Sequence, residues 1–341
     1  MASEIDGFTS SLVKAGIMEL IKVEHLTKRF GHLTAVDDIS ISIQEGEIFG
    51  FLGPNGAGKT TTLSILSTLL SPTEGSAMVN GYNVVSQKAD VRKSIGVVFQ
   101  DPTLDEELTA WENMDIHRRL YGMKKSREKI NELLSLVELD NRKKQLVKNF
   151  SGGMKRRLEI ARGLLHEPRI LFLDEPTLGL DPQTRNHLWD YIRNMNQEKK
   201  VTIILTTHYM DEAEKLSDRV AIIDMGKIIA LDTPKALKER IGGSVIRIES
   251  AESERIKDTL ASMDWLSNLT MHNGYVDVKL QNAEKRVAEV IKMLNEIPIE
   301  SVSLQIPTLE DVFLNYTGKT IREQEASAKD RMRQHRRASR R

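Results

Sequence analysis

The chain has no cysteine in its 341 residues. Disulfides and thiolate-held metals are therefore excluded, and the composition fits a reducing compartment. There is no run of about 18 apolar residues, so nothing in the sequence reads as a membrane-spanning helix. The first 17 residues lack a positive start followed by an apolar stretch, which argues against a secretory signal. They precede a second methionine, Met18, and residues 1–18 are read as a flexible extension. No internal repeat and no heptad array is present, which argues against a solenoid or a coiled coil. An excess of charge is also missing: 49 Lys and Arg balance 49 Asp and Glu. The balance is uneven, however. From Lys319 onward nine basic residues face three acidic ones, so the tail carries 9 − 3 = +6 and the rest carries −6. What remains is 40% hydrophobic and 29% charged, ordinary globular composition for one large domain or two modest ones.

Periodicity divides the chain. Ile21 and Val23 alternate with polar residues, as do Ile39, Ile41 and Ile43, which predicts half-buried antiparallel strands. Residues 95–99, 170–173, 201–205 and 220–223 are short and mostly apolar, as buried parallel strands are, with helical segments between them. Residues 107–146 read as helical. Gly242-Gly243 marks a boundary, beyond which 244–317 reads as a small α+β domain of about 75 residues. There Val245, Ile246 and Ile248, then Val276, Val278 and Leu280, then Val302, Leu304 and Ile306 predict strands. Val287, Val290, Ile291 and Leu294 make a helical stripe. Thr308-Leu309-Glu310-Asp311 looks like a helix start, with Leu309, Val312, Phe313 and Tyr316 on one face. Residues 318–341 turn polar and basic and are read as a disordered tail.

Two motifs carry chemistry. Gly53-Pro54-Asn55-Gly56-Ala57-Gly58-Lys59-Thr60 fits the phosphate-binding P-loop pattern. It follows the apolar run Glu47-Ile48-Phe49-Gly50-Phe51-Leu52 and precedes Leu63, Leu66 and Leu70 at helical spacing. Glycines let the backbone turn its N–H groups inward, and the helix start adds free N–H groups and a positive dipole end. Lys59 is expected on the β- and γ-phosphates, the Thr60 hydroxyl on Mg²⁺, and Thr61 beside them in the first helical turn. About 110 residues on, Ile170-Leu171-Phe172-Leu173-Asp174-Glu175 is a buried strand ending in two carboxylates. Asp174 at its edge suits Mg²⁺, directly or through water, and Glu175 suits the orientation of a water for attack on the γ-phosphate.

Phe150-Ser151-Gly152-Gly153-Met154 precedes a helix expected to begin near Lys155. Taken alone it is either a plain N-cap or an anion site. Its place between the P-loop and the Asp174-Glu175 strand gives it meaning. The chain resembles an ATP-binding cassette (ABC) ATPase, whose signature is Leu-Ser-Gly-Gly-Gln. Phe150 stands for the Leu and Met154 for the Gln, so the Ser151-Gly152-Gly153 core is intact and the Gln side-chain hydrogen bond is absent. The resemblance runs over 20–240 and implies further roles. Phe30 would stack on adenine, where it otherwise reads as a core residue. Gln100, after Val97-Val98-Phe99, would offer its carbonyl to Mg²⁺ and sense the membrane partner. Gly179-Leu180-Asp181-Pro182 would cross to the other subunit, with Asp181 near nucleotide. His208 would contact the γ-phosphate and hold water and Glu175 in register.

The resemblance narrows further. Leu108-Thr109-Ala110-Trp111-Glu112-Asn113, Met154-Lys155-Arg156-Arg157-Leu158 and Pro307-Thr308-Leu309-Glu310-Asp311-Val312-Phe313-Leu314 are similar to the daunorubicin/drug-resistance exporter ATPases. This implies a P-loop ABC core over 19–241, a parallel sheet with an antiparallel β subdomain and a helical subdomain near 101–165, plus the C-terminal α+β domain. It implies ATP and Mg²⁺, and a head-to-tail second ATPase subunit, a homodimer by preference. It further implies a separate multi-spanning permease, no nucleic acid, and a cytoplasmic place at the inner face of the membrane. The basic tail offers a second membrane contact through anionic lipid. The alternatives are an importer ATPase and a non-transport ABC ATPase. The latter commonly shows a long coiled-coil insertion, cysteine zinc sites or two cassettes in one chain, none of which is present.

Overall fold

The computed structural model describes residues 19–318 apart from 125–126, 242–243, 262, 264–267, 273 and 281–282. The expected extension 1–18, the Gly242-Gly243 boundary and the basic tail from Lys319 onward lie outside the described residues. The chain forms two compact units that divide between Leu231 and Asp232, some ten residues ahead of that glycine pair. The reason is local. The Pro234–Arg240 helix, capped by Thr233, packs against the Leu309–Thr317 helix and so belongs with the second unit.

The first unit holds two sheets. The larger has six strands in the order Lys227–Asp232, Arg219–Asp224, Ile48–Leu52, Thr202–Thr207, Ile170–Asp174 and Ile95–Val98. The pairs of Ile48–Leu52 with both of its neighbours, and the two pairs beyond Thr202–Thr207, are parallel. All residues of Ile48–Leu52, Ile170–Asp174 and Thr202–Thr207 are buried, as strands covered on both faces must be. That is why their sequences are mostly apolar and lack alternation. Leu52 and Asp174 both leave the carboxyl edge on either side of Thr206 and Thr207, the crevice where ligands bind in open α/β sheets.

The smaller sheet is antiparallel, in the order Leu33–Gln44, Glu19–Phe30, Glu74–Val79 and Tyr82–Asn83. Ile39, Ile41 and Ile43 face inward, and their strand alternates as read from sequence. A core of Ile21, Val23, Phe49, Phe51, Leu63 and Phe172 lies between the sheets. Residues 107–146 carry the helices Ala110–Leu120 and Arg127–Leu136 and the 3₁₀ turn Asp140–Arg142, with a second 3₁₀ turn, Val147–Asn149, just beyond. Both helices pack on Gly152–Gly163 through a second apolar cluster that includes Met114, Ile130, Leu134, Leu158 and Ile160.

The second unit is an antiparallel sheet in the order Asn268–His272, Tyr275–Leu280, Ser244–Glu249 and Ser301–Gln305. Helices Ser253–Leu260 and Ala283–Met293 add Ile256, Leu260 and Val290 to its core, and Leu294 joins them just past the second helix. Ile306 lies one residue past its expected strand and is exposed, as is Ile291. In Leu309–Thr317, Leu309, Val312 and Phe313 are buried, but Tyr316 is 44% exposed and not part of their face. No helix among the described residues is long and apolar enough to cross a membrane.

Candidate functional site: the P-loop and the carboxyl edge of the parallel sheet

The P-loop is a turn that few residues besides glycine could make. Gly58 has φ +107, and a Cβ there would sit 2.4 Å from the Ala35 carbonyl oxygen. A Cβ on Gly53 would lie 2.2 Å from the Ile223 carbonyl oxygen. The helix Lys59–Leu66 starts at once. Its first backbone bond runs from Thr62 N to the Gly58 carbonyl at 2.9 Å, so the amides of Thr60 and Thr61 have no helical carbonyl to meet. Leu63 and Leu66 are buried on its inner face; Leu70 lies beyond its end.

Side chains converge in front of this loop. The Lys59 ammonium, 4% exposed, donates to the carbonyls of Gly53 at 2.7 Å and Pro54 at 3.1 Å. It also lies 3.5 Å from Glu175 Oε1. The Thr60 hydroxyl donates to Asp174 Oδ1 at 3.1 Å, and the Thr206 hydroxyl donates to the same oxygen. Glu175 has φ +45, an uncommon conformation for a residue with a side chain. Its N–H is held by the Thr206 carbonyl and hydroxyl, both at 3.1 Å. The turn aims its carboxylate back over the P-loop. His208 Nδ1 lies 3.1 Å from Glu175 Oε2, within ion-pair reach but at an angle short of a well-formed hydrogen bond. Burial opposes ionisation of Glu175, but His208 and the Lys59 charge outweigh it and hold the carboxyl below its ordinary range.

The structure thus joins Lys59, Thr60, Asp174, Glu175 and His208 in one cluster, across 149 positions of sequence (208 − 59). Other expected site residues make no hydrogen bond or ion pair with it among those the structure describes. Phe30 ends its strand with the ring 46% exposed and the Lys28 ammonium 5.0 Å above it. Gln100 is exposed just past Ile95–Val98. Ser151 caps Gly152–Gly163 through its hydroxyl to Met154 N at 3.2 Å, leaving Ser151 and Gly152 exposed at the helix start. Asp181 caps Pro182–Lys199, accepting from Thr184 N at 3.0 Å and from the Thr184 hydroxyl, which holds its carboxyl below the usual range. Neither cap touches the Lys59 cluster of its own chain.

Sequence reading missed three participants: Thr206, Arg156 and Glu212. Thr206 holds Asp174 and Glu175 together. Arg156, buried, donates to the carbonyls of Asp174 at 2.7 Å, Glu175 at 3.2 Å and Pro176 at 2.9 Å. Glu212, fully buried, accepts from the Thr177 hydroxyl at 2.8 Å and the Trp189 ring N–H at 2.9 Å. Only Arg156 left a trace in sequence, as part of a subfamily pattern whose physics was not evident.

A parallel sheet whose P-loop strand faces an acidic strand edge, with a capped Ser-Gly-Gly helix beside it, defines an ATP-binding cassette ATPase. The ABC transporter family pattern matches residues 36–178. Among curated relatives, the linearmycin resistance ATP-binding protein LnrL of Bacillus subtilis is 38% identical over 89% of this chain and all of its own. The daunorubicin resistance ATP-binding protein DrrA3 of Streptomyces coeruleorubidus is 38% identical over 90% and 98%. The Nod factor export ATP-binding protein I of Burkholderia orbicola is 37% identical over 89% and 98%. Among solved structures, a dimeric post-hydrolysis ATP-binding cassette bound to ADP and Pi matches with TM-score 0.57 and 28% identity, over 62% of this chain and 98% of that one. CbiO1 of Clostridium perfringens, part of an ABC transporter complex, matches with TM-score 0.59 and 29% identity over 72% and 96%. The chain belongs to the ATP-binding subunits of ABC transporters and is an ATPase coupled to transport. More narrowly, residues 233–317 match the C-terminal domain of the DrrA1-3-like ATP-binding proteins.

Proposed function

We propose that this chain powers an exporter of drugs, lipids or other hydrophobic compounds, working as a head-to-tail pair on a separate multi-spanning permease at the inner face of the cell membrane. The observation that carries the enzymatic half is the Lys59–Glu175–His208 contact in front of the P-loop, with Thr60 bonded to Asp174. The exporter half rests on the C-terminal unit and on relatives named for drug resistance and Nod factor export. An importer or a non-transport ATPase leaves that unit without explanation.

The chemistry follows from charge and position. Lys59 exchanges its loop carbonyls for β- and γ-phosphate oxygens, over the free amides of Thr60 and Thr61. The Thr60 hydroxyl, the Asp174 carboxylate and the Gln100 carbonyl are hard oxygen donors of the kind Mg²⁺ prefers. When bound, the ion neutralises charge building on the phosphates. Glu175, held ionised, accepts a proton from the attacking water, and His208 keeps its carboxylate turned toward the γ-phosphate. Exposed Phe30 stacks on adenine. Ser151 and Gly152 present their helix start to nucleotide held by the partner subunit, with Gly153 and Asp181 behind them. The permease partner is tested by capturing the chain from its native membranes. A multi-spanning membrane protein should co-purify in fixed ratio; recovery of the chain free of any membrane protein would overturn the reading.

A further inference from the structure

Arg156 is a guanidinium with almost no water, 7% exposed, in the second turn of the signature helix Gly152–Gly163. Burial lowers its basicity and Glu159 works against that loss. Its partners lie on three separate elements. Nη1 donates to the Phe99 carbonyl, one residue before Gln100, and meets Glu159 Oε2 at 3.1 Å. Nη2 donates to Asp174 O and Glu175 O, and Nε to Pro176 O. Glu159, on the same helix face, uses its other oxygen to accept from Thr103 N at 2.8 Å. One Arg–Glu pair therefore ties the signature helix, both sides of the Gln100 loop and the turn that holds Glu175 in its left-handed conformation.

A buried charge is costly unless every donor is met, and a hydrophobic isostere would usually be as stable. What a planar five-donor fork supplies, and an aliphatic side chain or a lysine does not, is fixed relative geometry. Three successive carbonyls of the 174–176 turn converge on one guanidinium, which restricts how that turn can rotate. Glu175 needs such restriction, because its φ of +45 is not a conformation its own backbone favours. We propose that Arg156, buttressed by Glu159, is a positioning residue that holds the Glu175 carboxylate in its catalytic orientation and makes that orientation depend on where the signature helix and the Gln100 loop stand.

The proposal rests on Glu175 acting in hydrolysis, and its test separates the two. The full-length chain is prepared as Arg156→Lys, which keeps a charge for Glu159, as Arg156→Met/Glu159→Gln, which leaves no buried charge, as Glu175→Gln, and as Arg156→Lys/Glu175→Gln. Mg·ATP affinity, turnover at saturating ATP and amide exchange are measured on each. Both Arg156 variants should bind ATP within about twofold of wild type and turn over at least about tenfold more slowly. Exchange at residues 174–178 should rise about tenfold, while the sheet strands exchange at wild-type rates. In the Glu175→Gln background Arg156→Lys should cost nothing more, since the group it positions no longer acts. Unchanged exchange at 174–178, affinity falling in step with turnover, or an equal further loss in the Glu175→Gln background would each overturn the proposal. Normal turnover by Glu175→Gln alone would instead remove the role of Glu175.

Discussion

Glu212 is a carboxylate in a place that disfavours charge. It lies in the first turn of the helix Met210–Leu216 after His208, is fully buried, and receives two hydrogen bonds on Oε1 while Oε2 has no bonded partner among the described residues. Burial pushes its carboxyl above the usual range; the Thr207, Trp189 and Thr177 side chains and the Arg185 charge pull the other way and lose. The consequence for stability has a definite sign. An acid whose folded pKa is raised above 4.5 costs nothing while both states are protonated, then destabilises progressively as pH rises from 4.5 through the folded value. Glu212→Gln keeps the acceptor for Thr177 and Trp189 and removes the ionisation. We expect the variant to melt close to wild type near pH 4.5 and higher than wild type at pH 7.5. Melting curves at several pH values check this; a deficit of the same size at every pH would show that Glu212 serves as a carboxylate. Glu175 behaves oppositely, because its pKa is depressed: its contribution is present above pH 4.5 and is lost as pH falls through the folded value.

Helix ends show how far local sequence carries. Thr308 and Asp311 form a capping box, with the Thr308 hydroxyl accepting from Asp311 N at 3.2 Å and Thr308 N donating back to Asp311 at 2.8 Å. The start was legible at residue spacing, since a Thr three residues ahead of an acid satisfies two orphan amides. Thr308→Ala should destabilise the second unit by about 1 kcal/mol. A calorimetric scan should show its transition lowered and the first unit's unmoved; two unchanged transitions would make the cap irrelevant to stability. Strands buried on both faces were legible for a similar reason, since a run such as Ile170–Asp174 needs no tertiary knowledge. Asn268–His272 was not, because an exposed edge strand of mixed polarity has no buried face to imprint a period. The short Pro234–Arg240 helix was missed because its partner lies some seventy residues away in Leu309–Thr317. The site divides in the same way. Its phosphate-binding and acidic motifs are local, whereas the bond from Thr206 to Asp174 and the spread of Arg156 over three elements depend on packing. Thr206 reads as one more β-branched strand residue, and Arg156 as one more charge on a helix.

At the scale of the whole molecule, the residues split into two sets that one chain keeps apart. Lys59, Thr60, Asp174, Glu175 and His208 meet in front of the P-loop. Ser151 and Gly152 are exposed at the start of another helix, with Ser151 spent on its own cap. Anion-binding geometry left facing solvent fits a second nucleotide-bearing subunit, and two copies related by a twofold axis would complete two equivalent sites. In such a pair ATP would stabilise the closed form only through contacts it makes there and not in the separated subunits. Glu175→Gln keeps the carboxyl shape and loses the proton acceptor, so ATP should bind, persist and hold the pair closed. Light scattering should report a dimer with ATP and a monomer with ADP. Ser151→Arg places a bulky cation where, on the two-subunit reading, the partner's γ-phosphate would approach, at a position outside the Lys59 cluster. Added to Glu175→Gln, it should abolish the ATP-dependent dimer while ATP affinity of the isolated subunit stays within about threefold, well under the tenfold that about 1.4 kcal/mol would produce. A dimer that survives Ser151→Arg, or ATP affinity of the monomer that collapses with it, would place the signature helix at its own chain's nucleotide and end the two-subunit reading.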